Sequence, residues 1–199
     1  MSAKTYGTLI LSATWQLSAV PHVAMRVKRV FESIAKDQHG VIQIPDTPGN
    51  ARDLLWFLER YPMEISEGDL AQLRHRAAFH AEQVLAVERI VARGDSDRVF
   101  PLAIPARDYQ KVAADITLTT GRLLVADEVG IGKTLVGICI ATDPRARPML
   151  VVTLTHLTRQ WKSEFERFAP SLRVHVAKKG KPYALDISRG KPCPPPDVL

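Results

Sequence analysis

Cysteine is nearly absent from this sequence: Cys139 and Cys193 are the only two in 199 residues. Two thiols cannot form a disulfide framework, so a reducing compartment, the cytoplasm, is the expected location. Long apolar runs are also missing. None approaches the roughly 18–20 residues that a membrane span requires, and no membrane partner is expected. The N-terminus, MSAKTYGTLILSATWQL, carries one lysine and an apolar run broken by Gly, Ser and Thr, which suits a strand better than a signal peptide. No internal repeat stands out at periods of about 20–50 residues. What remains is 46% apolar and 24% charged, an ordinary globular balance that argues against general disorder.

The charge is unevenly distributed. Residues 1–100 hold 12 Lys/Arg against 12 Asp/Glu, whereas residues 101–199 hold 15 against 9 and so carry the whole net charge of +6. Within 145–191 the count is 11 against 3. A basic surface gathered in one region suggests a polyanionic partner, and a solvated basic face is the plainer alternative.

Periodicity organises the first half. Tyr6–Leu17 reads as a strand bent at Ser12, and Pro21 opens a helix with Val23, Val27, Val30 and Ile34 on one face, ending at His39-Gly40. Val41–Ile44 is a short strand. Asp46-Thr47-Pro48 starts a helix whose inner face is Ala51, Leu54, Leu55 and Leu58. After a possible strand at Met63–Ile65, Ser66 caps a long helix with Leu70, Leu73, Ala77, Ala81, Val84, Val87 and Val91 as its apolar stripe. Gly94-Asp95-Ser96-Asp97 is a breaker cluster and the expected boundary of a small α+β domain, residues 1–96. Trp15, Trp56 and Phe57 are expected in its core, and His75 and His80, five apart, on a solvated face.

Chemistry concentrates in RLLVADEVGIGKT, residues 122–134. Leu123–Ala126 has the apolar run of a buried parallel strand. A glycine-bearing turn, Lys133-Thr134 and an apolar helical segment follow, which is the context a phosphate-binding loop requires. Gly130 and Gly132 let the backbone approach an anion, and the helix N-terminus adds partial positive charge. Lys133 suits the β/γ-phosphates and the Thr134 hydroxyl suits Mg²⁺. The strict pattern G-x-x-x-x-G-K-[ST] is incomplete, because Asp127 stands where the first glycine belongs.

That departure carries a resemblance. Ala126–Thr134, ADEVGIGKT, resembles the ATP-site loop of the Swi/Snf class of superfamily 2 helicase-like ATPases, A-D-E-[MV]-G-[LI]-G-K-T. With Val129 it is most similar to the bacterial RNA-polymerase-recycling branch and its phage and prokaryotic relatives. Arg107-Asp108-Tyr109-Gln110 resembles that family's upstream motif, whose glutamine reads the adenine edge. Val151–Phe168, VVTLTHLTRQWKSEFERF, resembles its motif Ia, with Leu154 in place of the usual proline and His156 in place of a small hydroxyl residue. The resemblance covers roughly residues 104–176. It implies that Gln110 and Asp127, Glu128, Val129, Gly130, Ile131, Gly132, Lys133 and Thr134 bind Mg²⁺-ATP. Lys133 and Thr134 would be the catalytic pair and Thr134 the metal ligand. It also implies that Thr155, His156, Arg159 and Lys162 contact a nucleic-acid backbone, DNA before RNA. Lys178-Lys179-Gly180-Lys181 adds basic charge nearby, as a second contact or a solvated loop.

The implied fold is α/β: a partial RecA-like parallel sheet over residues 97–199, after the small domain. Strands Leu123–Ala126, Met149–Thr153 and Leu172–Ala177 should alternate with helices Lys133–Ala141 and His156–Phe168. On the second helix, Trp161, Phe165 and Phe168 should face the core and Lys162, Glu164, Glu166 and Arg167 the solvent. The family's acidic motif, D-E-x-H, does not follow Thr134 in this sequence. The expectation is therefore the N-terminal part of an ATP-dependent translocase or helicase, truncated before that motif. It would bind nucleotide without turning it over, the remaining motor half being missing or supplied by a partner chain. A non-enzymatic nucleic-acid adaptor with a vestigial loop is the alternative from another class, and a small P-loop kinase the alternative enzyme.

Overall fold

The N-terminal run folds back on itself. In the computed structural model, which describes residues 5–31, 34, 40–177, 185, 187–188 and 191–199, β1 (Gly7–Leu11) and β2 (Trp15–Ala19) form an antiparallel hairpin, not one bent strand. The reversal is closed by the Ser12 N–H donating to the Thr14 carbonyl at 3.0 Å. β3 (Ile42–Ile44) pairs antiparallel with β2, giving a three-stranded sheet in the order β1-β2-β3. Leu9, Trp15, Leu17, Ile42 and Ile44 alternate onto one buried face.

Helices cover that face. α1 (Pro21–Val30) buries Val23 and Val27 and ends at Phe31, short of the expected end; His39 lies outside the described residues. α2 (Pro48–Arg60) starts as its sequence predicts, with the Thr47 hydroxyl accepting from the Asn50 N–H at 3.2 Å and proline in the first turn. It buries Ala51, Leu54 and Phe57, while Trp56 is exposed with the Arg60 guanidinium 4.0 Å from its ring. Trp56 thus lies outside the core in which its periodic context placed it. The expected strand at Met63–Ile65 is reduced to a single bridge between Thr8 and Glu64.

α3 (Glu67–Arg93) is capped by the Ser66 hydroxyl, which accepts from the Asp69 N–H at 3.0 Å. Its expected stripe is buried only at Leu73, with Ala77 partly covered; Ala81, Val84 and Val91 are exposed. The physical reason is length. At about 1.5 Å per residue the helix runs far beyond its first turns, and its later turns are buried at Ile90, 6% exposed and one residue off the expected stripe, with Val87 half-buried. The chain divides into two compact units, Met1–Leu85 and Ala86–Leu199, and the division falls inside α3, before the Gly94–Asp97 cluster.

In the second unit α4 (Asp108–Thr120) ends at Gly121, whose φ of +76° provides a left-handed cap. Asp115, 5% exposed, anchors α4 by accepting from the Ser96 hydroxyl at 2.7 Å and from Arg98 Nε. α5 (Lys133–Thr142) and α6 (Thr158–Phe168) complete the core around Ala114, Ile138 and Phe165, and β4 (Ile187–Ser188) pairs antiparallel with β5 (Lys191–Pro192).

The architecture is mixed α/β, and among the described residues the sheets are antiparallel. Among the described residues of the second unit, parallel pairing consists of single bridges, Met149 with Val198 and Val174 with Val198. Met149 donates to the Asp197 carbonyl at 2.9 Å, Val151 to Leu199 at 2.8 Å and His175 to Val198 at 2.9 Å. Leu123–Ala126 is not a strand, and Leu124 is 87% exposed. A buried parallel strand needs ladder neighbours, and none flanks this segment among the described residues.

Candidate nucleotide-binding site

α5 begins directly after the glycine loop, and the loop's conformational demands fall on its two glycines. Gly130 has φ +96° and Gly132 φ +83°, a region that side chains with a Cβ rarely adopt. A Cβ on Gly130 would meet nothing within 4 Å, so the space above it is open. A Cβ on Gly132 would lie 2.5 Å from Gln110 Nε2. Gly132 is thus required by its dihedral and by the side chain that abuts it.

Lys133 closes the loop on itself. Its ammonium donates to the main-chain carbonyls of Asp127 at 2.6 Å and Glu128 at 2.7 Å. Asp127 and Glu128 therefore bound the site through backbone oxygens, and their side chains, like that of Val129, are exposed. The N–H groups of Lys133 and Thr134 stand in the first turn of α5, where no intrahelical acceptor exists. Thr134, the sequence's one candidate metal ligand, is half-buried in the same turn. Among the described residues no cluster of three or more His, Cys, Asp or Glu is placed to hold a metal.

The start of α4 braces this loop. Gln110 is 4% exposed. Its Oε1 accepts from the Arg107 N–H at 3.0 Å, and its Nε2 donates to the carbonyls of Ile131 at 3.1 Å and Gly132 at 3.3 Å. The Tyr109 hydroxyl also donates to the Ile131 carbonyl, at 2.7 Å. Tyr109 was quoted in the sequence motif without a role; its position beside Gln110 was the available signal.

Loop, α4 start and one face of α6 enclose a cleft of about 710 Å³. α6 contributes Gln160, Glu164 and Phe168, spaced by four and so on one helix face. Phe165, 1% exposed, is in the core and Trp161 and Phe168 pack against it as expected, Phe168 also lining the cleft, whereas Glu164, expected to face solvent, is half-buried in the cleft wall. The cradle fits a phosphate: open space over Gly130, a helix N-terminus and one ammonium converge there. Cys139 is fully buried on α5, and burial pushes its thiol up to about 11.

Thr155 and His156 sit exposed in a 3₁₀ turn, Thr155–Leu157, that leads into α6. Arg159 and Lys162 are exposed on α6, and Lys162 pairs with Glu166 at 3.3 Å. Lys178–Lys181 lie outside the described residues.

Residues 50–190, more than half of the chain, match the SNF2-related domain. The chain belongs to the SNF2-related domain family. It is 46% identical over 65 residues to a SWI/SNF-related matrix-associated actin-dependent regulator of chromatin, subfamily A-like protein 1, from Xenopus tropicalis, a match covering 31% of this chain and 7% of that protein. It is 41% identical over 59 residues to an uncharacterized ATP-dependent helicase from Mycoplasma pneumoniae, covering 27% and 6% respectively. With the TATA-binding protein-associated factor MOT1 of Saccharomyces cerevisiae it shares 31% identity over 109 residues, covering 44% and 6%. The chain thus spans less than a tenth of the length of these relatives. The SNF2-related span contains the whole cleft and begins inside α2, in the first unit. No helix among the described residues is long and apolar enough to cross a membrane.

Proposed function

We propose that this SNF2-related chain is the nucleotide-binding part of an ATP-dependent DNA translocase or helicase, holding Mg²⁺-ATP at Asp127–Thr134. The observation that carries the reading is the loop with positive-φ glycines at the N-terminus of α5, with Lys133 turned into it. Bound phosphates would take over the Lys133 ammonium from the two loop carbonyls and accept from the first-turn N–H groups. Thr134 would supply a hydroxyl ligand to Mg²⁺, which would neutralise phosphate charge there. Gln110 enters the site as a brace for the loop, with an Oε1 lone pair left for the adenine edge.

Thr155, His156 and Arg159, exposed ahead of and on α6, are the proposed contacts to the DNA backbone, with Lys162 shared between Glu166 and phosphate. No D-E-x-H tetrapeptide follows Thr134 in this sequence, so no carboxylate of that motif is available to position water, and residues 1–199 alone should bind nucleotide without sustained hydrolysis. The proposed place of action is the cytoplasm.

The test is calorimetric titration of Mg-ATP into the chain and into Lys133→Ala. Removing the one cation of the loop should cost about 1.5–3 kcal/mol of binding, the range for a charge-assisted hydrogen bond, with the fold intact by circular dichroism. Equal affinity of the two proteins would sink the assignment.

A further inference from the structure

α6 carries two carboxylates whose situations differ. Glu166 is exposed and paired with Lys162 at 3.3 Å. Glu164 is half-buried, lines the same cleft as the glycine loop, and has neither hydrogen bond nor ion pair among the described residues. The cations that share the cleft do not answer it. Lys133 is held by the Asp127 and Glu128 carbonyls, and Arg107 forms no ion pair with it. Among the described residues Glu164 thus offers the cleft an acceptor that solvent serves and that an incoming donor can take over.

The sign of its charge restricts what that donor can be. A carboxylate repels phosphate, so the triphosphate belongs with Lys133 and the α5 N-terminus and not beside Glu164. The rest of the wall is apolar at Ile104, Pro105 and Phe168, which suits a nucleoside. Gln160, one turn before Glu164 on the same face, adds an amide able to donate or accept. The Gln110 amide, already bonded to Arg107, Ile131 and Gly132, keeps one Oε1 lone pair, whereas Glu164 offers two carboxylate oxygens with no hydrogen bond among the described residues.

We infer that Glu164, assisted by Gln160, accepts hydrogen bonds from the neutral donors of the nucleoside half of the bound nucleotide. Those donors are the ribose hydroxyls or the exocyclic amine of the base. The inference rests on the proposed nucleotide reading and makes the α6 face a specificity wall in addition to its place next to the DNA-contact turn.

The experiment is calorimetric titration of the full chain, Glu164→Ala and Glu164→Gln with Mg²⁺ complexes of ATP, 2′-deoxy-ATP, 3′-deoxy-ATP, inosine triphosphate and tripolyphosphate. Thermal melting checks that each variant folds. Glu164→Ala should lose about tenfold in ATP affinity, and Glu164→Gln, which keeps an acceptor, should recover part of it. Tripolyphosphate, which has no nucleoside, should bind all three proteins alike. If the ribose is the donor, the parent discriminates against a deoxy nucleotide and Glu164→Ala does not. If the base amine is the donor, the same contrast appears with inosine triphosphate. Unchanged ATP affinity in Glu164→Ala overturns the inference. So does an equal loss for ATP and tripolyphosphate, which would place the carboxylate on the metal or in the fold. These failures leave Lys133-dependent ATP binding intact. Absence of that dependence instead removes the nucleotide reading, and the inference with it.

Discussion

Gln110 shows how one side chain can tie two segments together. Both ends of its amide are occupied, Oε1 by the Arg107 N–H and Nε2 by the carbonyls on either side of the last loop peptide. Replacing it with alanine removes a buried brace, and the loop must then be ordered by the ligand at its own entropic cost. Gln110→Ala should therefore weaken ATP and GTP together, by about 1–2 kcal/mol if each lost neutral hydrogen bond counts for roughly 1 kcal/mol. Parallel titrations with the two nucleotides measure this. A loss confined to ATP would contradict the bracing role and leave base reading as Gln110's only part. The residues of the loop were legible from sequence because glycine, lysine and threonine each have one strong physical reason to stand there. Glu164 was not. A helical carboxylate reads as solvated unless the neighbouring elements are known, and here it is the α4 start and the loop that turn that face into a cleft wall.

At the scale of elements, α2 and its Thr47 cap, the α3 start at Ser66 and the α5 start at Lys133 follow from capping residues and proline, which act locally. Strand pairing does not act locally. The β1–β2 hairpin was hidden in a continuous apolar stretch, and Leu123–Ala126 has strand composition without a strand neighbour. The parallel bridges at Val198 depend instead on a side chain. The backbone N–H of Arg173 donates to Asp197 Oδ2 at 2.9 Å, and this bond, with the Arg173 and Arg147 guanidinium groups, holds the Asp197 carboxyl below the ordinary aspartate range. A depressed folded pKa stabilises the fold at pH values above the unfolded aspartate value, about 3.9, and that stabilisation disappears as pH falls through the lowered value. The melting temperature of the parent chain should thus exceed that of Asp197→Asn at pH 6, and the gap should close as pH drops below 4. A gap that stays constant to pH 2.5 would show that this junction does not draw on the charge of Asp197.

For the molecule as a whole, charge and motif order point the same way. The second half carries the basic excess, the glycine loop and the cleft, and the SNF2-related match runs through all three. The first unit is built around an antiparallel sheet whose Trp15 donates to Asp46 Oδ1 at 3.1 Å inside a well-covered core. Its class was legible from alternating apolar residues and helix caps, but the exposure of Ala81, Val84 and Val91 on α3 was not, because periodicity marks a face without saying what covers it. The central claim is that nucleotide is held by the loop between Asp127 and Thr134. Amide hydrogen exchange tests it most directly. The N–H of Leu135 is bonded to the Gly132 carbonyl at 3.0 Å, whereas those of Lys133 and Thr134 have no acceptor within α5. Saturating Mg-ATP should slow exchange at residues 130–134 in the parent chain and leave it fast in Lys133→Ala at the same concentration. Exchange at those amides that ignores Mg-ATP, or slows equally in both proteins, would contradict the account.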